Sequence, residues 1–232
     1  MPLDNPIFGK GIYTPREAAR LIGSTAQEII RWTRGSGPKE PLWRGHYQFL
    51  DDTTEISFID MIELRVVRAL RHRGVSLQSI RYAINLAENQ FGISRPLSTI
   101  QFKTDGAEIL MDATEKDGEL VSLSPKRPGQ KAFARIIDQS VSGLEFDGDR
   151  VARWRPNSIP TVIIDPERAF GDPILDSTGI STQILFNEVK RSNSVSYVSR
   201  LYEIDAKLVR HAIKFEESLD KKSRANADQG SI

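Results

Sequence analysis

Residues 12–34 read IYTPREAARLIGSTAQEIIRWTR, and the stretch predicts two short helices joined by a tight turn. Thr14 precedes Pro15, and Glu17 follows three residues after the threonine, a capping box with proline at the first helical position. Thr25 and Glu28 repeat the box further on. Gly23, after Leu21 and Ile22, stops the first helix. Ala18, Leu21, Ile29 and Trp32 fall at spacings that face inward, the pattern of a helix-turn-helix. On the opposite face of the second helix stand Gln27, Arg31 and Arg34, at i, i+4 and i+7. Gln and Arg can bond base edges bidentately in a major groove. The same stripe would also suit a helical hairpin with a solvated polar face.

Working outward, Gly35, Gly37 and Pro38 precede WRGHYQF at 43–49, aromatic and basic residues around a turn, as in a β-wing. A third helix follows, with Ile59, Ile62, Val66 and Ala69 as its buried stripe and Arg65, Arg68 and His72 on another face. Gly74 ends it, and Ser76 caps a fourth helix that buries Leu77, Ile80, Ile84 and Ala87, with Val75 stapled onto Ile80. The phrase FIDMIELRVVRALRHRGVSLQSIRYAI resembles the DNA-binding domain of the MerR family, and residues 12–87 fit that pattern throughout. The resemblance implies a recognition helix lined by Gln27, Ile30 and Arg31, and a wing in which Arg44 and Tyr47 touch the DNA backbone. Thr14 and Arg34 complete the candidate DNA contacts. The chain departs from the family at Ile30, where a polar residue is usual. It departs again at Gly92 and Pro96, which interrupt the place of the long dimerisation helix.

Net charge over the 232 residues is only +1, which excludes a uniformly basic nucleic-acid coat but not a local basic surface. Residues 10–48 hold seven basic residues against three acids. Residues 49–63 hold five acids and no Lys or Arg, and 64–82 hold five arginines and no acid. There are no cysteines, so disulfides, thiolate nucleophiles and thiol metal sites are excluded. The three histidines have no ligand spacing. No nucleophile or carboxylate constellation stands out, and we expect a non-catalytic, cytoplasmic protein with no cofactor, metal or membrane attachment.

The middle of the chain reads as β-rich. Strands are expected at Thr99–Lys103 and Glu108–Met111 around Thr104-Asp105-Gly106, at Glu119–Leu123, and at Leu144–Phe146 and Val151–Trp154 around Asp147-Gly148-Asp149. Only Lys131–Gln139 reads as a helix. Beyond it, Val162–Pro166 leads through Ala169–Leu175 to Thr178–Thr182, which reads as an extended strand, a Pro-pinned turn and a short second strand. Three helices follow: one from Thr182, one after Ser194, and one from Asp205 with Ile204 stapled onto Val209. The expected fold class is α+β: a winged helix-turn-helix head (1–97), a β-rich connecting module (98–158), and a three-helix, helix-turn-helix-like domain (159–217). A tail (218–232) is expected to be unstructured alone.

Residues 162–217 resemble the domain-of-unknown-function 433 family. The matching motifs are Ile164-Asp165-Pro166, Phe170-Gly171-Asp172-Pro173, Gly179-Ile180-Ser181-Thr182, and Leu201-Tyr202-Glu203-Ile204 with Val209, Ala212, Ile213 and Phe215. The MerR-like head joined to this tail resembles the VapB-type antitoxins. That resemblance implies binding to the operator of the chain's own operon and neutralisation of a PIN-like ribonuclease toxin. A metal-dependent nuclease clusters carboxylates, so toxin contacts are expected from basic residues: Arg200, Lys207, Arg210, Lys214, Lys221, Lys222 and Arg224. A homodimer is expected from operator symmetry. The alternative is a MerR-like regulator in which residues 98–217 sense a small molecule; it predicts a concave apolar pocket.

Overall fold

Capping decides where the first four helices start. In the computed structural model, which describes residues 10–37, 40–47, 53–116, 130–156 and 159–229, α1 (Pro15–Ile22) and α2 (Ala26–Arg34) each carry a complete capping box, Thr14 with Glu17 and Thr25 with Glu28. Gly23 closes α1 in the left-handed conformation. Ser57 and Asp60 form a third box at the head of α3 (Phe58–His72), and Ser76 caps α4 (Leu77–Phe91). Ala18, Ile29, Trp32, Met61, Leu64, Leu70 and Ile80 meet in one core, each no more than 1% exposed.

The first half of the expected β-rich middle is helical instead. Residues Ile100–Lys116 form α5, which packs on α4 and on α6 (Gln130–Ser140). The Asp105-Gly106 pair is not a hairpin turn. Gly106 is buried inside α5, where a Cβ would stand 3.0 Å from the side chains of Ile137 and Phe102. Glycine here lets two helices approach closely. The apolar residues Phe102, Ile109, Leu110 and Ala113 recur at helical spacing and are all buried, and that stripe outweighs the local turn signal. Residues 119–123 lie outside the described residues.

The second half follows the sequence pattern. β1 (Leu144–Asp147) and β2 (Arg150–Trp154) pair antiparallel around Gly148. They extend, through β3 (Val162–Ile164) and β4 (Pro173–Leu175), into a four-stranded antiparallel sheet in the order β1-β2-β3-β4. The mixture of helices with one small antiparallel sheet is consistent with the α+β class.

Then come α7 (Thr182–Ser192), α8 (Val195–Leu201) and α9 (Ala206–Gln229). α9 does not end near residue 217, so the expected unstructured tail is corrected through residue 229. Its apolar stripe continues, Val209, Ala212 and Phe215 being followed by Leu219 at 2% exposure. Asp220 takes two hydrogen bonds from Arg20 of α1.

The two ends of the chain are fastened together at two points. Tyr13 Oη donates to the Gly171 carbonyl at 2.8 Å, and Ile12 N to the Phe170 carbonyl at 3.0 Å. Arg20 forms an ion pair with Glu216 at 2.8 Å, and Glu216 is 1% exposed. The other Glu216 oxygen accepts from the Thr182 hydroxyl.

Candidate functional site

Gln27, Ile30 and Arg31 lie exposed on α2, and Ile30, at 39% exposure, is outside the core. Arg31 approaches Glu28 at 3.9 Å, a loose contact that leaves its guanidinium half exposed. Arg34 is half-buried and donates to the Thr53 carbonyl at 3.0 Å, which ties α2 to the following loop. Thr14 is exposed at the head of α1, where its hydroxyl is engaged with Glu17.

The stretch expected to form a wing is anchored on α3 by one carboxylate. Asp60, fully buried, accepts from Trp43 Nε1, the His46 amide and Arg95 Nε, each at 2.9 Å. The Arg95 guanidinium also lies 5.3 Å from the centre of the Trp43 ring and bonds the Arg44 carbonyl. Arg44 presents an exposed side chain. Tyr47, expected on the surface of the wing, is turned into the core instead. It is 3% exposed, its hydroxyl donates to the Gly11 carbonyl at 2.6 Å, and burial pushes its pKa up to about 12. An aromatic ring needs buried area more than a surface position, and the core beside Gly11 supplies it. Residues 43–47 form no strand, and 48–52 lie outside the described residues.

Three residues not singled out from the sequence complete this face. A cleft of about 560 Å³ is lined by Arg31 and Trp32 of α2, Arg71 near the end of α3, and Leu77, Gln78 and Arg81 of α4, among others. Arg71 is held by the Val75 carbonyl at 2.7 Å and Arg81 by the Glu40 carbonyl at 2.9 Å, so two guanidinium groups are positioned before any partner arrives. The acid-free run of arginines at 64–82 was the available signal. What it lacked was the register that brings Arg71 and Arg81 beside Arg31.

At the other end, Lys207, Arg210, Lys214 and Lys221 are all exposed on α9 at i, i+3, i+7 and i+14, with Arg200 exposed on α8. None of these five is in an ion pair among the described residues. Three large apolar side chains, Ile184, Tyr197 and Leu201, are about half exposed on α7 and α8. The side chains of Lys222 and Arg224 lie outside the described residues. Among the described residues there is no group of three or more His, Cys, Asp or Glu that could hold a metal, and no helix long and apolar enough to cross a membrane.

The chain is 24% identical over 225 residues to a Mycobacterium tuberculosis protein named "Putative antitoxin VapB45", an alignment covering 89% of this chain and 94% of that one. The crystal structure of Rv2018 from Mycobacterium tuberculosis superposes with a TM-score of 0.68 at 23% identity, covering 89% of this chain and 99% of that one. The fold is therefore shared along nearly the whole chain. No family model matches, so the MerR and domain-of-unknown-function 433 resemblances rest on the motifs quoted above.

Proposed function

We propose that this protein is the antitoxin of a type II toxin–antitoxin pair, non-catalytic itself. In this reading the α1–α4 head, a winged helix-turn-helix of MerR type, binds the operator of its own operon. The α7–α9 region holds a PIN-like ribonuclease toxin. The observation that carries the reading is the whole-length likeness to a protein named as an antitoxin. The head supports the DNA role through Gln27, Arg31, Arg71, Gln78 and Arg81, polar and cationic groups gathered around one recognition face. The C-terminal end supports the protein-binding role through exposed Lys207, Arg210, Lys214 and Lys221 on α9, a face that also carries exposed Glu217, and through exposed apolar side chains on α7 and α8. The working form is a homodimer, matched to a two-fold operator.

Binding of a fluorescent duplex carrying the chain's own promoter tests the head. Arg31→Ala with Arg71→Ala should weaken it and lower the slope of log affinity against log salt by about 1 for each phosphate no longer neutralised. Ribonuclease neutralisation by the same variant should be unchanged. Loss of both activities in a folded protein would refute the division of labour.

The regulator reading keeps one observation of its own. A cavity of about 550 Å³ opens between the head, the β-hairpin and the loop after β3, with Lys10, His46, Arg95, Arg150, Asp165 and Glu167 among its walls. Its lining mixes these charged groups with Phe58, Ile59, Val151 and Pro166, so it is not the predominantly apolar pocket that the regulator reading predicts.

A further inference from the structure

Three of the five arginines in the acid-free run do not belong to the cleft beside α2. Arg65, Arg68 and Arg73, together with His72, line a second cavity of about 240 Å³ that shares no residue with that cleft. Ile22 from the end of α1 and Ile136, Gln139 and Ser140 from α6 close its other sides; no carboxylate lines it, and Glu28 of α2 acts on Arg68 from outside it. Arg65 is fixed: its guanidinium lies 4.3 Å from the centre of the Trp154 ring, and Nη2 donates to the Ser142 carbonyl at 2.8 Å. Its Nη1 is buried with no hydrogen-bond partner among the described residues. A buried donor left unmade is costly, and a cationic one more so. Burial without a carboxylate neighbour pushes the Arg65 guanidinium down to about 10, still charged at neutral pH.

We infer that this cavity is a phosphate site, built to take one phosphate group on the Arg65, Arg68 and Arg73 guanidinium groups. Guanidinium forks match phosphate oxygens in pairs, and three of them around one small space call for a multiply charged anion rather than a carboxylate. The volume lies below the roughly 300–1,000 Å³ of pockets for drug-sized ligands, so the site holds a phosphate-sized group and not a whole nucleotide. That phosphate comes either from a small phosphorylated molecule or from a nucleic-acid backbone. The inference goes beyond the antitoxin reading and does not depend on it.

The test is thermal unfolding and calorimetric titration of the full chain with inorganic phosphate, against sodium chloride at equal ionic strength. A saturable rise in melting temperature is expected, with matching heat. The rise should vanish in Arg68→Gln/Arg73→Gln, which leaves Arg65 on Trp154, and in Gln139→Glu, which places a carboxylate in the cavity without touching an arginine. If phosphate also displaces a random duplex from the wild type, over the same concentration range and at constant ionic strength, the natural source is a nucleic-acid backbone. If duplex binding is indifferent to phosphate, the source is a small phosphorylated molecule. No phosphate-specific shift or heat in the wild type, or a shift retained in both variants, overturns the proposal.

Discussion

Glu63 sits on the core face of α3, fully buried, with one oxygen accepting from the Ser98 amide at 2.7 Å and the other without a partner among the described residues. Desolvation dominates there and pushes its pKa up to about 8. The folded state thus holds a proton that the unfolded chain releases near the ordinary carboxylate range. Stability is full below that range and falls as pH rises towards about 8. Glu63→Gln should flatten this decline and raise the melting temperature at pH 9, with little effect at pH 5; denaturant melts across the range would check it. Gly171 is a second decisive residue. Its φ is +89°, and a Cβ would lie 2.1 Å from Tyr13 Oη. Gly171→Ala should destabilise by about 2–4 kcal/mol through strain and displacement of Tyr13, measurable by urea unfolding. A variant as stable as the wild type would remove Gly171 from the junction.

At the scale of elements, α9 carries the clearest consequence. Its last turns were expected to be an unstructured tail, yet Leu219 is buried and Asp220 is bonded to Arg20 of α1. Deleting residues 218–232 should lower stability by about 2–4 kcal/mol, the burial of one leucine plus a partly buried charged contact. A fully unstructured tail would cost nothing. The capping boxes at Thr14 and Thr25 were legible because their residues are neighbours in sequence, and so was the hairpin at Asp147-Gly148. What was not legible depends on distant partners. Asp105-Gly106 reads locally as a turn, but the approach of Ile137 makes Gly106 a helix–helix contact. Tyr47 reads as a surface aromatic until its bond to Gly11 is seen. Gln27, Ile30 and Arg31 are exposed on α2, whereas Arg71 and Arg81 reach that face only through tertiary packing.

At the scale of the molecule, the proposed DNA-binding head and the proposed toxin-binding region are not independent beads. Arg20 of α1 bridges Glu216 and Asp220 of α9, and Tyr13 is bonded to the loop before β4. Arg20→Ala would leave Glu216 buried without its counter-charge, held among the described residues by the Thr182 hydroxyl alone, a loss of about 3–5 kcal/mol. A partner seated on α9 would then stabilise the same unit that presents Arg31 and Arg71, so toxin and operator binding should be energetically coupled. The most direct measurement is co-purification of tagged wild type and Arg31→Ala/Arg71→Ala from native cells, with mass spectrometry of bound protein and sequencing of bound DNA. A stoichiometric PIN-like ribonuclease is expected on both, with the promoter of the chain's own operon on the wild type alone. A chain that carries its promoter but no ribonuclease in either form would contradict the antitoxin reading.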